Sequence, residues 1–162
     1  MKKFINLAIL ALVFAGCSNK EYVHDPLKNE LLAYTQKFEA IRGNADRYLA
    51  VATYLNPVLA NSNGERFLLS SYPQTEGIKF DTLKVNKDSN LSVKEVKNGD
   101  EILNLTNINL PWSNHYEIIS PVKNADYLTI TYTTQKNTNV TLKFLKVSKS
   151  MYWNPEIKLK DD

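Results

Sequence analysis

The apolar positions of this chain change period once, near residue 44. Before that point Leu27, Leu31, Tyr34, Phe38 and Ile41 recur at spacings of four, three, four and three, which puts all five on one face of a helix. Asp25 supplies an N-cap, Pro26 a first-turn proline and Gly43-Asn44 a stop. The pattern predicts one amphipathic helix over residues 26–42. Beyond Asn44 the signal is short and strand-like. Residues 48–55 form a β-compatible run closed by Asn56-Pro57, and residues 66–72 follow the turn pair Asn63-Gly64. Ile78 and Phe80 alternate, then Leu83 and Val85 fall out of phase, so an extra residue near Asp81-Thr82 predicts a bulge. Residues 91–97 and 102–106 flank Asn98-Gly99 and read as a hairpin.

The later part of the chain continues in the same way. Residues 116–120 make a short strand that ends at Pro121. Leu128, Ile130 and Tyr132 alternate with threonines, and Val140, Leu142 and Phe144 alternate after a loop at Lys136–Asn139. A last strand is expected within 151–159, interrupted by Pro155. Eight or nine short strands with turn signals and no crossover helices exclude a parallel α/β sheet. The expected fold is mainly β: an antiparallel, immunoglobulin-like β-sandwich over 45–160 with one N-terminal amphipathic helix. Residues 25–162 would form one domain. The runs at 48–57 and 127–147 resemble those of small lipoproteins of epsilon-class Gram-negative bacteria with immunoglobulin-like domains, a resemblance that bears on fold alone.

The first residues carry a different message. Met1-Lys2-Lys3 is followed by an uncharged apolar stretch from Phe4 to Gly16, the layout of an export signal. The stretch is too short to span a hydrocarbon core of about 30 Å as a helix. Phe14-Ala15-Gly16-Cys17 resembles the lipobox of bacterial lipoproteins, with Phe14 where leucine is commoner. The resemblance implies that residues 1–16 are a signal peptide, that Cys17 carries the lipid, palmitate included, and that 17–24 form a tether. Each buried methylene of the acyl chains contributes about 0.8 kcal/mol of membrane affinity. Ser18 follows the cysteine where aspartate would retain the protein at the inner membrane. The expected address is the outer membrane, lipid-anchored, on its periplasmic side.

Composition narrows the chemistry. Without Lys2 and Lys3 the chain has 18 basic and 17 acidic residues and no basic block, so nucleic-acid binding has little support. With its only cysteine lipidated, no thiol remains for catalysis, a metal or a disulfide. His24 and His115 lack second ligands at metal spacing and read as surface histidines. No nucleophile elbow or phosphate-cradling glycine loop occurs, so no metal, cofactor or enzymatic activity is expected. A glycosidase-type carboxylate pair would be visible only in the fold.

Two features point to partners. Trp112 and Trp153 are expected to plug the ends of the core; on loops they would instead stack on sugars or anchor an interface. The helical stripe Leu27–Leu31–Tyr34–Phe38–Ile41 is expected to dock on its own sandwich, the alternative being a groove on another protein. Asp88-Ser89-Asn90-Leu91-Ser92 resembles the extended acceptor sequon of bacterial N-glycosylation, which makes Asn90 a candidate site. The expected function is that of a non-catalytic interaction or structural module, anchored in the membrane by lipid and bound to a protein partner in the envelope. The alternative is a carbohydrate-binding domain or envelope enzyme that uses loop aromatics and carboxylates. The oligomeric state is not legible.

Overall fold

The computed structural model describes residues 26–43, 46–59, 63–106, 108 and 110–147. Cys17, His24, Trp153 and the strand expected within 151–159 lie outside the described residues. The elements are α1 (Pro26–Ala33), β1 (Thr35–Arg42), β2 (Asp46–Tyr54), β3 (Glu65–Tyr72), β4 (Ile78–Val85), β5 (Ser92–Val96), α2 (Glu101–Thr106), β6 (Asn114–Ser120), β7 (Tyr127–Thr134) and β8 (Asn139–Leu145).

The fold is the expected antiparallel sandwich. Five strands run in the order β1-β2-β3-β6-β5 and three in the order β4-β7-β8. Setting β1 aside, β2-β3-β6-β5 faces β4-β7-β8 in the ABED/CFG arrangement of a constant-type immunoglobulin domain. Strand β1 is added outside that plan, paired with β2 and lying alongside β8. The late hairpin holds as read: Tyr127 pairs with Leu145 through to Thr133 with Asn139, and every apolar residue of the two alternating sets is buried. The bulge in β4 is also present, because the register shifts between Lys79 and Lys84.

Two expected elements are corrected. The helix over 26–42 stops at Ala33, and the second half of its stripe is a strand. Thr35 to Arg42 pair residue for residue with Thr53 to Asp46. Phe38 and Ala40 pack against the core, whereas Ile41 is 73% exposed. A stripe at Tyr34, Phe38 and Ile41 fits a helix, but Phe38 and Ala40 equally fit a period of two. The pairing decides, because a helix here would leave the backbone groups along the edge of β2 without partners. Thr35 Oγ1 donates to the Leu31 carbonyl at 2.6 Å as the helix ends. Gly43, at φ 69°, serves the turn into β2 rather than a helix stop.

The hairpin across Asn98-Gly99 is the second correction. Residues 101–106 are helical, and β5 pairs with β6 instead. Asp100 is the reason. Its carboxylate accepts from the Lys97 amide at 3.0 Å, and its carbonyl accepts from the amides of Leu103 and Asn104. The side chain closes the turn back onto Lys97 while the backbone carbonyl opens the helix, and the chain leaves the sheet there.

The core has two layers. Tyr48, Phe67, Leu69, Ile118, Leu128, Ile130 and Phe144 fill the space between the sheets, where the Tyr48 and Tyr132 hydroxyls meet at 2.9 Å. On the outer face of the five-stranded sheet, Leu31 of α1 and Leu103 of α2 join Leu55, Leu68 and Val96 in a second cluster, with Leu27 against it. Docking of α1 on its own sandwich is therefore present for Leu27 and Leu31, and Tyr34, just past the helix, enters the inter-sheet cluster. Replacing Phe144, which is 1% exposed, by alanine should destabilise the protein by about 3–5 kcal/mol. Ile41→Ala should stay within about 0.5 kcal/mol of the wild type. Paired urea denaturation curves check both, and an equal loss for the two variants would contradict the assigned strand face.

Candidate functional site

The outer face of the five-stranded sheet is only partly covered by the helices. At the end nearest the β1–β2 turn it stays bare. Ile41 pairs with Arg47 and Leu49 pairs with Tyr72, so these four side chains share that face. Beside them runs the loop that leads into β6, and it carries Trp112. Contrary to the expected core plug, Trp112 is 77% exposed. Its backbone has φ 56°, a left-handed conformation that costs a bulky residue about 1–3 kcal/mol.

The loop is braced in that shape. The Gln74 amide donates to the Trp112 carbonyl at 2.8 Å, and Asn114 Nδ2 donates to the Gln74 carbonyl at 2.9 Å. On one side of Trp112 an open cleft of about 620 Å³ is lined by Arg47, Leu49, Tyr72, Pro73 and Ser113. On the other a cleft of about 460 Å³ is lined by Gln74, Asn98 and His115 among others. Ser113 borders both, and its buried hydroxyl has no hydrogen-bond partner among the described residues.

Asp46, which also lines the larger cleft, belongs to an ion-pair network centred on Arg42. Arg42 Nη1 donates to Glu76 Oε1 at 3.0 Å and to Thr138 Oγ1 at 2.7 Å, and Nη2 donates to Asp46 Oδ1 at 3.0 Å. One guanidinium thus ties β1 to β2, to the loop before β4 and to the β7–β8 hairpin. Lys136 adds a contact to Asp46 at 3.1 Å. Burial works to raise the Glu76 carboxyl, but hydrogen bonds from Arg42 and Thr134 and the charges of Arg42 and Lys136 outweigh it and hold it below its ordinary value. The Lys136 hydrogen bond, with Arg42, likewise lowers Asp46. Both carboxylates are therefore ionised and ion-paired, unlike the raised general acid of a hydrolytic pair. Arg47, the exposed cation of the cleft, contacts Glu39 at 2.5 Å.

His115 is not the surface residue expected. It lies in β6, 4% exposed, with Nδ1 2.7 Å from Ser70 Oγ of the paired strand. Burial pushes its pKa down, against a hydrogen bond to the Leu110 carbonyl. A serine beside a histidine suggests nucleophilic chemistry, but Ser70 is 1% exposed and does not line either cleft. No cluster of three or more metal-ligating side chains occurs among the described residues. Of the candidate surface residues, Ile41 and Trp112 come to this end of the sheet. Leu27, Leu31 and Tyr34 are spent on packing, and Phe38 faces the opposite side. Sequence reading missed Tyr72 and Arg47, whose only signal was their place at strand ends beside Pro73 and the β1–β2 turn.

Asn90 is exposed, on the approach to β5. Its amide donates to Asp88 Oδ1 at 2.9 Å, and the same carboxylate is paired with Lys123. The acid of the sequon is thus engaged within the fold.

Two outcomes follow. Trp112→Gly should be about 1 kcal/mol more stable than Trp112→Ala, because only glycine relieves the left-handed backbone. Equal melting temperatures would remove the strain. Acidification should lower stability in two stages. His115 has a depressed folded pKa, so the unfolded chain binds the extra proton and stability falls as pH drops below about 6.5. The lowered carboxylates Glu76, Glu65 and Asp46 add their loss only below about 4.5. Denaturation of His115→Asn across pH should show the second stage without the first.

Compared with protein-family models, with curated proteins and with solved structures, the chain gives no significant match.

Proposed function

We propose that this chain is a lipid-anchored, non-catalytic interaction module of the bacterial envelope, held at the periplasmic side of the outer membrane through Cys17. In this reading it grips a protein partner with the bare end of its larger sheet. One observation carries it: Trp112 is held 77% exposed in a strained loop beside Tyr72 and Arg47. Trp, Tyr and Arg dominate the residues that carry binding energy at protein interfaces. Strain at an exposed aromatic is retained where the presented side chain has work to do. The paired, ionised state of Asp46 and Glu76 supports binding over hydrolysis.

A photoreactive residue placed at Trp112 in cells should capture one discrete protein, and the same group at Thr141 on the other sheet should not. Capture of glycan material instead would favour the carbohydrate-binding alternative. Cys17→Ala should shift the protein from the detergent to the aqueous phase in phase partitioning; retention in detergent would refute the anchor. The intact mass of the membrane-extracted protein reads both acylation of Cys17 and a glycan on Asn90.

A further inference from the structure

The two sheets differ in width, and the mismatch is closed on one side only. On the β1 side the extra strand lies alongside β8. On the β5 side no strand of the other sheet among the described residues covers the inner face. Val93 and Glu95 pair with Ile118 and Tyr116, whose side chains enter the inter-sheet core, so Val93 and Glu95 point the same way. Yet Val93 is 36% exposed and Glu95 is exposed as well. The three-stranded sheet stops at β4, from which Phe80, 49% exposed, reaches across to Tyr116 with ring centroids 5.2 Å apart. The result is a groove of about 550 Å³ between the free edges, lined by Phe80, Leu83, Leu91, Val93, Glu95 and Tyr116.

The two free edges are not equivalent. Strand β4 is interrupted by its bulge, where the six residues from Lys79 to Lys84 span only three, from Thr133 to Thr131, on β7. A bulged edge does not offer a regular ladder. Strand β5 keeps unbroken register with β6 from Ser92 to Val96, and its other edge is the free margin of the sheet. An added strand there would place every second side chain over the groove. Apolar side chains line the groove together with the polar Ser89 and Glu95, and Glu95, its one charged group, makes no ion pair among the described residues.

We infer that β5 is a strand-addition site for an extended segment of another protein, one with apolar side chains at alternate positions and a lysine or arginine set against Glu95. The backbone edge supplies affinity, the groove takes the apolar side chains, and Glu95 selects the basic one. The site lies at the opposite edge of the sheet from β1 and does not depend on the role assigned to Trp112.

The test uses the full chain and a synthetic peptide of about nine residues, valine alternating with threonine around a central lysine. Binding should slow amide exchange at Val93, Lys94 and Glu95. Val93→Asp should abolish it, with unchanged exchange in β7 reporting an intact fold. Glu95→Lys should weaken the lysine peptide about tenfold and turn the preference to a glutamate peptide. A version with proline at alternate positions cannot pair and should not bind. The inference is overturned if the proline peptide binds equally, if the charge exchange leaves the preference unchanged, if protection appears away from β5, or if β5 becomes protected by self-association of the protein alone.

Discussion

Strand β3 is buried on both faces along its middle, and the rest of the molecule is arranged to satisfy that. Phe67 and Leu69 point into the space between the sheets, and Leu68 points the opposite way, yet all three are essentially inaccessible to water. A sandwich covers only one face of each sheet. The other face of β3 therefore requires cover, and α1 and α2 provide it through Leu31 and Leu103. Burying each such side chain contributes about 1.5–3 kcal/mol, enough to fix where both short helices lie, though neither is long enough to be stable alone. The helices reach only part of the sheet, and what they leave uncovered is the end with Tyr72, Arg47 and Trp112. The bare surface and the covered one are two results of a single demand.

The strands that were legible in the sequence were those that bury one face. Leu128, Ile130 and Tyr132 against their threonines, and Val140, Leu142 and Phe144 after the loop, announce their register because each misstep would turn the whole set to water. The bulge in β4 was legible for the same reason, since a change of phase has no other simple cause. The failures occurred where two periods fit the same residues. Tyr34, Phe38 and Ile41 satisfy a helix, and Phe38 and Ala40 satisfy a strand; the need of β2 for a neighbour, which is not local, decides between them. Around Asn98-Gly99 the turn is legible, but the bond of the Asp100 carboxylate back to the Lys97 amide, which closes the turn ahead of a helix, is not distinguishable in the sequence from a hairpin turn.

The site was less legible than the fold. Trp112 stands out in the sequence as a loop aromatic, but a large apolar ring is expected to plug the end of the core, and its left-handed, exposed backbone position is set by the loop's tertiary bonds to Gln74. His115 reads as a surface residue because it falls in the loop before a strand and has no second ligand at metal spacing; in the fold it is sheltered opposite Ser70 on the central strand. Tyr72 and Arg47 meet only because β2 and β3 are paired with Leu49 opposite Tyr72, a register that no local pattern specifies. A surface of this kind is a property of strand pairing and cannot be read from any one segment.

The added strand β1 has a mechanical consequence. The chain enters it at Thr35 and leaves it at Arg42, next to the cleft that Trp112 overlooks. An anchor upstream of Thr35 and a partner held at that cleft would pull on the molecule from opposite ends of the same strand. The load would then run along the β1–β2 ladder rather than across it. All eight paired positions, from Thr35 opposite Thr53 to Arg42 opposite Asp46, would share the tension in shear instead of opening in turn like a zipper. The guanidinium of Arg42, fastened to Glu76, Asp46 and Thr138, would act as the cleat at the loaded end.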